Sequence, residues 1–153
     1  MILPQLIDQE SWDELIHNAS ILQQENYGVK VYLLLNHDVI KLFRIKRLLS
    51  LSFFYPYSMR FARNGKRLQS RGIPAVQARS VFYCHAIRRH GVVYQLMPGE
   101  TLHSLLSVEN PAPELMAELA AFMVRLHDKG IYFRSLHLGN VIKMPDGQFG
   151  LID

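Results

Sequence analysis

Near the C-terminal end the chain reads Leu126-His127-Asp128-Lys129-Gly130-Ile131-Tyr132-Phe133-Arg134-Ser135-Leu136-His137-Leu138-Gly139-Asn140, and the fold turns on this stretch. Just before it, Leu115, Leu119, Phe122, Met123 and Leu126 recur at helical spacing, which predicts an amphipathic helix over residues 113–129. Pro113 suits the first turn, where a missing N–H costs nothing, and Gly130 suits the end. Just after it, residues 140–144 and 148–152 read as short strands joined by a Pro145-Asp146-Gly147 turn, the second running into Leu151-Ile152-Asp153. A long helix therefore feeds a polar loop, and the loop feeds a hairpin that leads to an acid.

Toward the N-terminus the pattern changes to strands. Residues 21–24, 29–35 and 39–43 are rich in β-branched and apolar side chains and are separated by turn residues at 26–28 and 36–38, so an antiparallel meander is predicted. Ser11 followed by Glu14 has the spacing of a capping box, which predicts a short helix opening at Trp12. Residues 54–68 read as a helix with one apolar and one basic side, stopped by Gly72-Ile73-Pro74. Two more strands are expected at 79–87 and 92–97, with the hairpin turn at 89–91, before Pro98-Gly99 breaks the run. A brief helix is expected around 102–106.

A chain of 153 residues with 49% hydrophobic content is sized for one ordinary domain with a core. No apolar run approaches the roughly 20 residues of a membrane span. The first ten residues contain Asp8 and Glu10 rather than the pattern of a signal peptide, so a cytoplasmic location is expected. Cys84 is the one cysteine; in its apolar setting it reads as a small buried hydrophobe.

The net charge of +4 hides an asymmetry: between Asp38 and Glu100 every formally charged residue is Lys or Arg. Such a block suits an anionic partner, whether nucleotide phosphate, acidic lipid or glycolipid headgroups, or RNA; it is equally compatible with a solvated basic face.

The loop around Arg134, Leu136 and Asn140 resembles the protein-kinase catalytic loop H-R-D-L-x-x-x-N, and Leu136-His137 with Gly139-Asn140 is similar to the H-G-D-L-H-P-G-N form of small-molecule kinases. Val39-Ile40-Lys41 resembles the V-A-I-K strand, Met97-Pro98-Gly99-Glu100 resembles the hinge, and Asp153 falls where the family places the Asp of D-F-G. The resemblance implies an α+β protein-kinase-like fold: an antiparallel-sheet N-lobe over residues 1–98, then a hinge and the beginning of a helical C-lobe over 99–153. Among such families, the closest impression is of the short bacterial lipopolysaccharide kinases that phosphorylate Kdo or heptose, including toluene-tolerance-type relatives.

That resemblance implies ATP and magnesium as cofactors, and an anionic glycolipid or core-oligosaccharide acceptor met at the inner membrane surface. Phosphoryl transfer needs positioning and charge neutralisation more than covalent help. Lys41 would hold nucleotide phosphates, Gly28 would stand in the phosphate-covering turn, Met97 and Gly99 would approach the base with backbone groups, and Asn140 and Asp153 would supply magnesium ligands. Ser135 occupies the place of the catalytic aspartate, and a serine hydroxyl needs a partner to take its proton. His137 is the nearest substitute base; alternatively it hydrogen-bonds the loop backbone and holds its shape.

Three departures bear on activity. Residues 54–68 contain no acid to pair with Lys41, the phosphate turn has the single Gly28, and the chain ends where the rest of a helical lobe would follow. The last suggests a fragment in which Leu119, Phe122 and Met123 would be exposed. Two further function classes therefore stand beside the sugar kinase: a pseudokinase that binds or regulates without turnover, and a basic nucleic-acid-associated module, for which no RNA motif is recognised.

Overall fold

Residues 38–44 and 89–95 form the central strands of the first of two units. In this computed structural model, residues 4–44, 56–107, 112–132 and 137–152 are described. The first unit comprises Met1–Gly65 and Gln77–Leu96, the second Lys66–Val76 and Met97–Asp153. The protein is α+β.

In the first unit, β3 (Gly28–Leu33) and β4 (Asp38–Arg44) pair antiparallel, β2 (Ser20–Glu25) continues the meander, and β5 (Ala78–Cys84) and β6 (Arg89–Gln95) form a second hairpin. β4 pairs with β6 from Asp38↔Gln95 to Arg44↔Arg89. An additional strand, β1 (Pro4–Ile7), lies parallel to β5 from Pro4↔Val81 to Ile7↔Cys84. The six-stranded order is β1-β5-β6-β4-β3-β2. The sheet is therefore mixed, which corrects the expected all-antiparallel sheet. Pro4 has no N–H to give a ladder and fits the start of an edge strand.

Alternation along β4 sorts the core. Ile40 and Leu42 pack with Phe82, Cys84, Val93 and Trp12 of α1 (Gln9–Leu15), with Tyr32 edge-on to Trp12. The helix starts one turn earlier than the Ser11 pattern suggested: Asp8 is the cap, accepting the Ser11 N–H at 2.9 Å. The opposite face, carrying Val39, Lys41 and Phe43, is covered by α2 (Tyr57–Ser70), whose Phe61 ring lies 6.0 Å from Phe43 and 5.3 Å from Tyr94. Of the expected helix over 54–68, the first two residues lie outside the described residues.

The β5–β6 turn occupies residues 85–88, not 89–91. Arg88 takes the left-handed position at φ 50° and donates its N–H to His85 O at 3.3 Å. Gly91 sits inside β6, where the Phe82 ring crosses it: a Cβ there would come within 2.2 Å of Phe82 Cζ. Its glycine serves close approach of a ring, not a turn.

The second unit has a three-stranded sheet in the order β7 (Glu100–Thr101), β8 (Val141–Lys143), β9 (Phe149–Leu151), together with α3 (Leu102–Leu106) and α4 (Pro113–Asp128). Residues 73–76 extend it, with Val76 N–H donating to Leu151 O at 3.1 Å and Leu151 N–H to Pro74 O at 2.9 Å. Leu115, Leu119, Phe122 and Leu126 of α4 pack with Ile73, Leu102, Val141, Phe149 and Leu151. Leu119 and Phe122 are thus buried and Met123 packs against the same cluster, contrary to the exposed stripe expected. The extended segment at residues 73–76, of which the sequence reading used Gly72-Ile73-Pro74 only as a helix stop, supplies part of that cover through Ile73 and Ala75.

Candidate functional site

Lys41 stands at the middle of β4, between Val31 of β3 and Val92 of β6. With 8% of its surface exposed, it is buried, as Asp38 is among the other described charged residues. Burying an ammonium costs several kcal/mol unless its surroundings compensate. Two aromatic faces provide part of that compensation: Nζ lies 5.1 Å from the Phe61 ring centre and 5.8 Å from that of Phe43. Each such contact contributes about 0.5–2 kcal/mol. The strand period puts Phe43 on the same face as Lys41, and the helical stripe of α2 brings Phe61 over both. The described residues of α2 include no carboxylate, as the sequence indicated.

Gly28, at φ 104°, begins β3 and pairs with Glu25 across the turn. Sequence reasoning missed what holds this turn. Arg89 reaches across from β6, its guanidinium donating to Val29 O at 2.7 Å and to Tyr27 O, while the Arg44 guanidinium lies 3.8 Å from the Tyr27 ring centre. The signal was available only in the register: Arg44 and Arg89 are direct cross-strand partners, a like-charge pairing that is unfavourable unless each finds other contacts. Both do, on the turn that contains Gly28.

In the second unit, Met97 and Gly99 lead into the first strand of the small sheet, and His137 and Asn140 lead into its second. β7 follows Gly99 and pairs with β8, Glu100↔Lys143 and Thr101↔Ile142. A Cβ on Gly99, at φ 123°, would meet Lys143 O at 2.2 Å, so only glycine allows this approach. The Met97 side chain fills the space a Cβ on Gly150 would take. A 3-10 turn, Leu138–Asn140, precedes β8.

His137 caps that turn with its backbone: its carbonyl accepts the Asn140 N–H at 2.8 Å, and its imidazole makes no capping bond. The ring itself is exposed. Asn140 is half-buried, and its carbonyl accepts the Ile152 N–H at 2.9 Å, tying the start of β8 to the end of β9. Its side-chain amide enters no hydrogen bond among the described residues. Ser135 and Asp153 lie outside the described residues.

The buried Lys41 ammonium belongs to the first unit and the Asn140 amide to the second. Among the described residues no three His, Cys, Asp or Glu side chains converge as a metal-binding group. Among the same residues no helix is long and apolar enough to cross a membrane. Neither a protein-family model nor a curated protein matches the chain.

Proposed function

We propose that the chain is a protein-kinase-like phosphotransferase domain that binds Mg·ATP, with residues 1–98 as its N-lobe, and that it resembles the lipopolysaccharide-core sugar kinases. The observation that carries this reading is Lys41: a buried lysine at mid-strand, on the sheet face covered by the helix that follows the strand. Such a buried cation has a use when phosphate oxygens accept from it. Bound nucleotide would supply the transferable phosphoryl group, and magnesium would neutralise charge on its oxygens. The chain's own contributions are the Lys41 ammonium to hold phosphate, Asn140 to offer an amide oxygen, and the pinned 97–101 segment to present backbone groups to the base. The acceptor is then a sugar hydroxyl on an anionic glycolipid, reached from the cytoplasmic side of the inner membrane.

A second reading, a pseudokinase that binds nucleotide without turnover, is favoured by Ser135, which stands where kinases carry the aspartate that takes the acceptor proton. Loss of a positioned base costs about 10²–10⁴ in rate. Calorimetric titration with Mg·ATP tests what both readings share, and phosphate transfer to core oligosaccharide separates them. Unchanged nucleotide affinity in Lys41→Met would overturn both.

A further inference from the structure

α2 (Tyr57–Ser70) is an amphipathic helix whose outer face is built from guanidinium groups. Ser58, Phe61, Ala62 and Gly65 are buried. Arg60, Arg63 and Arg67 follow at i, i+3 and i+7, so helical geometry puts them on one line along the opposite side, and all three are exposed. Lys66 is exposed beside them. The line depends only on the continuity of this helix, about 21 Å long at 1.5 Å per residue. Among the described residues none of the four enters an ion pair, and the sequence offers no acid between Asp38 and Glu100 to neutralise them. Three arginines held in a row repel one another, and only Arg67, in the last turn, is placed to gain from the helix dipole.

We infer that this stripe is a docking surface for an anionic phospholipid membrane. The match is one of charge and shape. Guanidinium groups pair bidentately with phosphate, and a straight row of them on a helix that is buried along its other side meets a flat sheet of headgroups. Tyr57 stands at the head of the row, 45% exposed with the Arg60 guanidinium 5.3 Å from its ring centre, and tyrosine is enriched at headgroup level. Nucleic acid fits less well. A duplex reader needs a helix free to enter a groove, and a single-strand site needs aromatic rings spaced along the basic track, whereas the track beyond Tyr57 carries none. This inference does not depend on the phosphotransferase reading, because it requires neither Lys41 nor nucleotide.

The test is sedimentation of the full chain with vesicles of equal parts phosphatidylglycerol and phosphatidylcholine, against vesicles of phosphatidylcholine alone. Binding to the anionic vesicles only, weakening as salt is raised, is the expected result. The triple variant Arg60→Gln/Arg63→Gln/Arg67→Gln should bind about a hundredfold more weakly, at roughly fivefold per charge. The charge-matched triple Lys30→Gln/Arg125→Gln/Lys129→Gln should bind nearly as the parent does. Arg60→Lys/Arg63→Lys/Arg67→Lys, which keeps both charge and helix, should retain most of the binding and guards against loss of fold. Equal binding to both vesicle types would overturn the inference, as would an equal loss in the two glutamine triples. So would stripe-dependent binding to a short RNA that displaces the vesicles. Mg·ATP titration without vesicles reports separately on the phosphotransferase reading.

Discussion

The Lys41 ammonium lies 5.1 Å from the centre of the Phe61 ring, joining the middle strand of the six-stranded sheet to the helix that covers it. Phe61 therefore has two roles. It fills the core between Phe43 and Tyr94, and it presents a negative ring face to a buried cation.

Phe61→Ala removes both. We expect a loss of about 3–5 kcal/mol in urea unfolding, the usual cost of a large aromatic removed from a core. Phe61→Leu, which keeps volume but not the ring, should cost less in stability. A loss below about 1 kcal/mol for the alanine variant would contradict the packing described.

Gly91 tests the strand assignment of residues 89–91. In a turn, alanine would be tolerated; under the Phe82 ring it must clash, because its Cβ would lie 2.2 Å from Cζ. Gly91→Ala should destabilise by about 1–3 kcal/mol, as overpacking does. Combining it with Phe82→Leu should cost less than the sum of the two single changes, measured as a double-mutant cycle.

His90 supplies a pH dependence. Burial holds its imidazole below the ordinary value of 6.5, and among the described residues its buried Nδ1 has no hydrogen-bond partner, with the Tyr83 ring at 4.9 Å. The unfolded chain then binds more protons than the folded one below that value. The stability due to neutral His90 is complete above about pH 6.5 and is lost as pH falls toward the lower folded value. The contribution to the slope is at most about 1.4 kcal/mol per pH unit. Denaturant melts of His90→Phe between pH 7.5 and 5 should show a shallower decline than the parent's; parallel curves would contradict the assignment.

Asp38 is buried at the start of β4 and paired with Arg79 at 2.8 Å, with the Asn36 amide at 3.2 Å. Its second oxygen, Oδ1, has no hydrogen-bond partner among the described residues. Arg79→Met leaves the carboxylate dependent on Asn36, and a loss of about 1–3 kcal/mol is expected from chemical denaturation. Because the Arg79 side chain is half exposed, the lower part of that range applies.

Much of this fold is legible in the sequence because it is encoded locally. The β-branched runs around Val31 and Ile40, the helical recurrence from Leu115 to Leu126 and the Pro145-Asp146-Gly147 turn each specify an element without help from distant residues. β1 was not legible: four residues starting at Pro4 carry little pattern, and their parallel partner in β5 is far along the chain. Gly91 misled for a related reason, since a glycine needed by a ring on the neighbouring strand looks like one needed by a turn. Asp8 and Ser11 are both cap residues, and only the observed bond from the Ser11 N–H decides between them. For the site, Lys41 could be picked out from its strand, but not the Phe61 ring beneath it, nor the Arg89 clamp on the Gly28 turn, because these depend on register and helix placement. The sequence assigned roles to Ser135 and Asp153, which lie outside the described residues.

The most direct measurement of the central claim is Mg·ATP binding by isothermal titration to the chain and to its Lys41→Met variant, with unfolding followed in parallel. The parallel unfolding measurement separates loss of the ammonium from loss of the fold. Loss of one charged hydrogen-bonding contact to phosphate should weaken nucleotide binding roughly 10- to 100-fold. A folded Lys41→Met variant that binds Mg·ATP as tightly as the parent, or a parent that binds none, would contradict the account.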